Sequence, residues 1–199
     1  MILFLTFFEF DMSDFEFVDV EKYCPSIQVD VMYASENNFT GKILYPIAKC
    51  FLRKGVANRL GRVQKNLEKL GLGLKIFDGY RPHHVSVYFW NLIQDIRYVA
   101  DPKIGSKHNR GAAVDVTLVD EKGVELLMPT PIDEMSVRAH RNYFDLSEET
   151  IKNRSLLEEE MGKEGFIGLP TEWWHFDDQN WELYPIEDVC ISKLTHACV

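Results

Sequence analysis

A chain of 199 residues with 46% hydrophobic content is long enough for one well-buried core and short for two. Its net charge of -9 and pI near 5.2 argue against nucleic acid and against an anionic membrane surface, both of which ask for clustered Lys and Arg, and favour a small soluble substrate. The cysteines at 24, 50, 190 and 198 are scattered without a C-x-x-C pair, which reads as reduced thiols in a cytoplasmic protein, with a periplasmic location and two bridges as the alternatives.

The first ten residues, Met1 to Phe10, are strongly apolar but carry no Lys or Arg before the run and no small-residue cleavage site after it. They are also far below the roughly 20 residues that span a bilayer, so no stable membrane insertion is expected. Residues 1–14 therefore read as an apolar arm or a misassigned start upstream of Met12, and residues 15–199 as the domain. Phe15 to Val20 and Ile27 to Tyr33 alternate apolar and polar residues as strands do, and Tyr33 emerges at a strand end before an Asn-rich loop. From about Leu52 to Leu70, the residues Val56, Leu60, Val63, Leu67 and Leu70 recur at steps of four and three, an apolar helical stripe that Gly71 stops. Leu74 to Phe77 is then a short buried strand, and the Asp78-Gly79 turn leaves Arg81 at its C-terminal end.

Pro82 suits a first helical turn, and Val85, Tyr88, Phe89, Leu92, Ile93 and Ile96 supply the stripe that follows, with His83 and His84 as exposed first-turn residues. Val119 to Leu126 predicts a hairpin turn and a second strand. The long polar loop from Met128 to Phe144 contains Asp133. Ser147, with Glu148 and Glu149, caps a helix to about Met161, whose Glu158-Glu159-Glu160 run reads as a solvated face. Strands and helices mixed without a βαβ rhythm imply an α+β domain with a mainly antiparallel sheet.

The chemistry concentrates in Ser106-Lys107-His108-Asn109-Arg110-Gly111-Ala112-Ala113-Val114-Asp115 and in Glu172-Trp173-Trp174-His175. Val114, Val116 and Leu118 point to one face of a strand and Asp115 and Thr117 to the other, so a carboxylate is aimed away from the core. Gly111 lets the loop bearing His108 fold back, and the two side chains can share one metal ion. His175 is the best third ligand, because Glu172 three residues earlier supplies the base that a hydrolytic zinc site needs. Residues three apart leave opposite faces of a regular strand, so this segment must bend. Zinc with three protein ligands keeps its fourth position for water and lowers that water's pKa to about 7. Trp173 and Trp174 read as packing.

The ordered constellation S-x-H-x-x-G-x-A-x-D followed by E-x-W-H resembles the D-alanyl-D-alanine dipeptidases of the vancomycin-resistance type, within the zinc D-Ala-D-Ala peptidases that share a hedgehog-like fold. Tyr33-Ala34-Ser35-Glu36-Asn37-Asn38-Phe39-Thr40-Gly41 is similar to that family's N-terminal substrate loop, and Asp78-Gly79-Tyr80-Arg81-Pro82 to its arginine-bearing turn. The resemblance implies one Zn²⁺ per chain on His108, Asp115 and His175, with Glu172 and Arg81 catalytic. It further implies Ser106 and Tyr33 at the carboxylate of a small dipeptide substrate and Asp133 at its ammonium, although the residues after Met135 depart from the expected acidic run. Two alternatives stand beside the dipeptidase: a D,D-carboxypeptidase or peptidoglycan endopeptidase with an open amine side, and a zinc-stabilised binding module without catalysis. The oligomeric state is not encoded in any of these motifs.

Overall fold

The computed structural model describes residues 11–195. The apolar segment of residues 1–10 and Cys198 lie outside them. Strand β1 (Phe17–Asp19) leads into the single-turn helix α1 (Val20–Tyr23), then β2 (Gln28–Val29), β3 (Phe51–Arg53) and the long helix α2 (Lys54–Glu68). Strand β4 (Leu72–Asp78), helix α3 (His83–Ile93) and strand β5 (Ala113–Asp120) follow, then helix α4 (Glu148–Lys163), strands β6 (Phe166–Gly168) and β7 (His175–Asp178), and the short α5 (Ile191–Leu194). The main sheet has the order β2-β4-β5-β7-β6, parallel only between β2 and β4, while β1 and β3 form a separate antiparallel pair. This is the α+β architecture with a mainly antiparallel sheet that the pattern predicts.

The apolar stripe of α2 is buried through Val56, Leu60, Val63 and Leu67, and it joins one core with Val114, Val116 and Leu118 of β5 and with Leu157 and Met161 of α4. Leu70, the last residue of the predicted stripe, is exposed, because the helix ends at Glu68 and Gly71 turns the chain at φ +72°. A similar overshoot occurs on α3. Gln94 caps that helix at φ 47°, so Ile96 falls beyond it and stays in solvent, while Leu92 lies on the exposed face of the last turn.

The strand expected from Ile27 to Tyr33 keeps its alternation of burial, but only Gln28–Val29 pairs with the sheet. Met32–Ala34 closes into a 3-10 turn, where the Tyr33 carbonyl accepts from both Leu44 N and Tyr45 N. The second strand expected after β5 is a single bridge between Val119 and Glu125, since the Asp120 carboxylate takes the Lys122 and Val124 amides instead. Helix α4 is capped by Ser147, which accepts from Thr150 N. Its acidic run is not wholly solvated: Glu160 is 6% exposed and bonds Lys163 at 2.7 Å. Cys24, Cys50 and Cys190 are free. Among the described residues no helix is long and apolar enough to cross a membrane.

Candidate active site

The sheet register builds the site. Asp115 on β5 lies directly opposite His175 on β7 and, past an irregularity at the end of β4, opposite Asp78, so three polar residues form one cross-strand row at the strand ends. Because side chains alternate across a strand, Val114 and Val116 turn to the core and Asp115 to the opposite face. His108 comes from the 3-10 turn His108–Arg110, which ends on Gly111 at φ +67°. A Cβ there would stand 2.5 Å from Cε1 of Phe17, so both the backbone angle and the space require glycine. Glu172 to Trp174 runs through a bend before β7 begins at His175, which is the break the sequence demanded.

His108 Nε2 lies 3.1 Å from His175 Nδ1 and 3.4 Å from Asp115 Oδ2, and His175 Nδ1 lies 3.1 Å from Asp115 Oδ1. Zinc–nitrogen and zinc–oxygen bonds of about 2.0–2.1 Å at tetrahedral angles put ligand atoms roughly 3.3 Å apart, so these three residues fit one metal ion. The imidazole tautomers agree. His108 Nδ1 is 2.7 Å from the Gly79 carbonyl, which can only accept, so Nδ1 carries the proton and Nε2 offers its lone pair. His175 Nε2 likewise donates to Asp177 Oδ1 at 2.9 Å, leaving Nδ1 for the metal.

The charge balance favours a cation. Burial opposes a charged His175, but its hydrogen bonds to Asp115 and Asp177 outweigh that and lift it to about 10, the same attraction that would hold a metal ion. Burial also works against the Asp115 carboxylate, yet the His108 and His175 imidazoles hold it well below its usual range. Glu172 differs from both. Burial pushes its carboxyl up to about 8 against the pull of His175, it is 8% exposed, and among the described residues its carboxylate accepts no hydrogen bond. Oε2 stands 3.9 Å from His175 Nδ1. A buried carboxyl whose pKa is raised, facing a candidate metal ligand row inside a cavity, points to a reacting group.

All eight expected site residues line one cavity of about 150 Å³: Tyr33, Arg81, Ser106, His108, Asp115, Asp133, Glu172 and His175. Arg81 is pinned to Asp78 Oδ2 through Nε at 2.9 Å and Nη2 at 2.8 Å and lies over the Phe89 ring. Asp133 adopts φ 62°, a left-handed conformation uncommon outside glycine, and burial pushes its carboxyl up to about 7. The Tyr33 hydroxyl donates to Asp133 Oδ2 at 2.8 Å, which pairs the residue expected at the substrate carboxylate with the one expected at its ammonium. The Ser106 hydroxyl accepts from His108 N at 3.2 Å.

Asp177, Asp78 and the Gly79 carbonyl are supporting groups that the motif reading missed. Asp78 Oδ1 takes Tyr45 OH and Gly79 N while Oδ2 takes Arg81, which makes it the anchor of the arginine turn. A period-two signal was available for Asp177, two residues past His175 on one strand face. His83 and His84 stay out of the cluster, as expected, but His83 is half-buried, its Nε2 2.9 Å from the Pro102 carbonyl, while His84 pairs with Asp188. Trp174 walls the cavity, and Trp173 packs beside it with Nε1 on Thr130 Oγ1.

A family model described as D-ala-D-ala dipeptidase, peptidase family M15, matches residues 13–193. A D-alanyl-D-alanine dipeptidase of Escherichia coli K12 is 38% identical over 176 residues, covering 88% of this chain and 91% of the relative. One from Streptomyces coelicolor is 35% identical over 185 residues, covering 82% and 91%. One from Enterococcus faecalis is 30% identical over 184 residues, covering 80% and 90%.

Proposed function

Since the chain belongs to the D-Ala-D-Ala dipeptidase family of peptidases, we propose that it hydrolyses free D-alanyl-D-alanine with one zinc ion on His108, Asp115 and His175 and with Glu172 as general base. The observation that carries this reading is the buried Glu172 carboxylate 3.9 Å from His175 Nδ1 in the ligand row. When bound, zinc supplies a water acidified to near neutrality and polarises a carbonyl oxygen. Glu172 takes the proton of the attacking water and passes it to the leaving amine. Arg81, held rigid by Asp78 and the Phe89 ring, faces the negative charge that develops on the carbonyl oxygen.

Asp133, bonded by the Tyr33 hydroxyl, receives the substrate ammonium, and Ser106 receives the carboxylate. A cavity of about 150 Å³ is below the range of roughly 300 Å³ and upward typical of drug-sized ligands, which suits a dipeptide. The carboxypeptidase reading has one observation in its favour. A cleft of about 870 Å³ adjoins the cavity and shares Phe39 and Asp133 with it as a wall. A longer stem peptide would have to displace Asp133 and leave its carboxylate without an ammonium partner.

Incubating the zinc-loaded protein with D-Ala-D-Ala, L-Ala-L-Ala and a stem pentapeptide separates the readings. Hydrolysis of D-Ala-D-Ala alone is expected. Cleavage of the pentapeptide with comparable kcat/KM would move the assignment to a carboxypeptidase, and inertness towards all three would leave a binding module.

A further inference from the structure

A dipeptide that enters this cavity brings a free carboxylate close to Asp133 and Glu172, and a cationic side chain not already committed would offset that repulsion. Three cationic side chains line the cavity: Arg81, Arg97 and Lys107. Arg81 is committed to Asp78 through two nitrogens and is read above as the oxyanion group. Arg97 is clamped by both oxygens of Asp95, and its side chain is 62% exposed. Lys107 differs from both. Its ammonium makes no hydrogen bond among the described residues, its ion pair with Asp177 Oδ2 is stretched to 3.4 Å, and its side chain is 35% exposed.

Its position also fits. Lys107 stands between Ser106 and His108, on the same turn that presents the serine hydroxyl and the metal-ligating imidazole. The turn fixes the backbone, since Lys107 O takes the Arg110 and Ala112 amides, while the four-carbon stem stays free to swing. Its ammonium rests 5.2 Å from the Trp181 ring, a contact weak enough at a half-exposed site to be exchanged for a carboxylate.

We propose that Lys107 is a specificity-determining residue that pairs with the free C-terminal carboxylate of the dipeptide substrate, exchanging its loose contact with Asp177 for the substrate. The inference rests on the dipeptidase reading. It differs from a structural role in which Lys107 only steadies Asp177 and, through it, His175.

The test compares D-Ala-D-Ala with its C-terminal amide, D-Ala-D-Ala-NH₂, on the zinc-loaded wild type, Lys107→Met, Lys107→Gln and Lys107→Arg, with zinc content measured for each. Wild type is expected to favour the acid by roughly 10- to 100-fold in kcat/KM, the range for a hydrogen bond to a charged group. In Lys107→Met and Lys107→Gln that preference should collapse to within about threefold, chiefly through KM for the acid, and Lys107→Arg should restore most of it. Binding of both ligands to Glu172→Gln and to Glu172→Gln/Lys107→Met, followed calorimetrically, should show the same collapse without turnover. An equal fall on acid and amide with loss of zinc would assign Lys107 to Asp177 alone and overturn the proposal. A preference that persists without the lysine, or is absent from wild type, would overturn it as well. A wild type inert towards both substrates would overturn the dipeptidase reading and this inference with it.

Discussion

At the scale of single residues the site is a set of groups whose partners dictate what each can do. Asp177 fixes the tautomer of His175, and removing such a supporting hydrogen bond from a metal ligand typically costs about 10–100-fold in affinity. Asp177→Ala is therefore expected to weaken zinc binding by that order while leaving the fold intact, which competition with a chromophoric chelator measures. Arg81→Ala should lower kcat far more than it raises KM, because its guanidinium is assigned to charge present only in the transition state. A pure KM effect would make Arg81 a ground-state clamp. His108, Asp115, His175 and Glu172 were legible in the sequence because their spacing carries the chemistry. Asp78 and Asp177 were not, because a supporting carboxylate is recognised only by what it touches. Tyr33 was found, but its partner Asp133 is 100 residues away, and no local pattern gives that pairing.

At the scale of elements, the register of β4, β5 and β7 does the positioning, and the turn before β5 completes it. Gly111→Ala should be strongly destabilising, since a left-handed conformation costs a residue with a Cβ roughly 1–2 kcal/mol and the new methyl would also meet the Phe17 ring. The expected readout is a lower urea midpoint together with weaker zinc binding, because the same turn carries His108. Loss of stability with unchanged zinc affinity would show that the turn does not position the ligand. Helix α2 and strand β5 were readable from periodicity, β4 from a short apolar run and α4 from its Ser147 cap. Their ends were less so: Leu70 and Ile96 continue the apolar rhythm past the caps at which the backbone turns. The hairpin turn after β5 forms, but its second strand is cut to one bridge, where the Asp120 side chain takes the Val124 amide.

At the scale of the molecule, stability, metal and pH are linked. Zinc that binds only the folded chain stabilises it by about 4 kcal/mol at a free concentration near 1,000 times Kd, so chelation should lower Tm and wild type should lose more than His175→Ala. Asp133, raised by burial from 3.8 to about 7, holds its proton more tightly folded than unfolded. Its contribution is therefore fully present below about 3.8 and is lost as pH rises through about 7. Asn tolerates the left-handed backbone and does not titrate, so the urea midpoint of Asp133→Asn should gain on wild type between pH 5 and pH 8. A pH-independent difference would contradict that account of Asp133. The central claim is that a buried carboxylate beside a metal ligand row performs peptide hydrolysis, and the most direct measurement is turnover of D-Ala-D-Ala by wild type and Glu172→Gln at equal zinc content. Gln keeps the shape and all three ligands but cannot accept a proton, so kcat should fall by about 10²–10⁴-fold or more with zinc stoichiometry unchanged. Comparable hydrolysis by the two proteins would remove Glu172 from the mechanism and contradict the account.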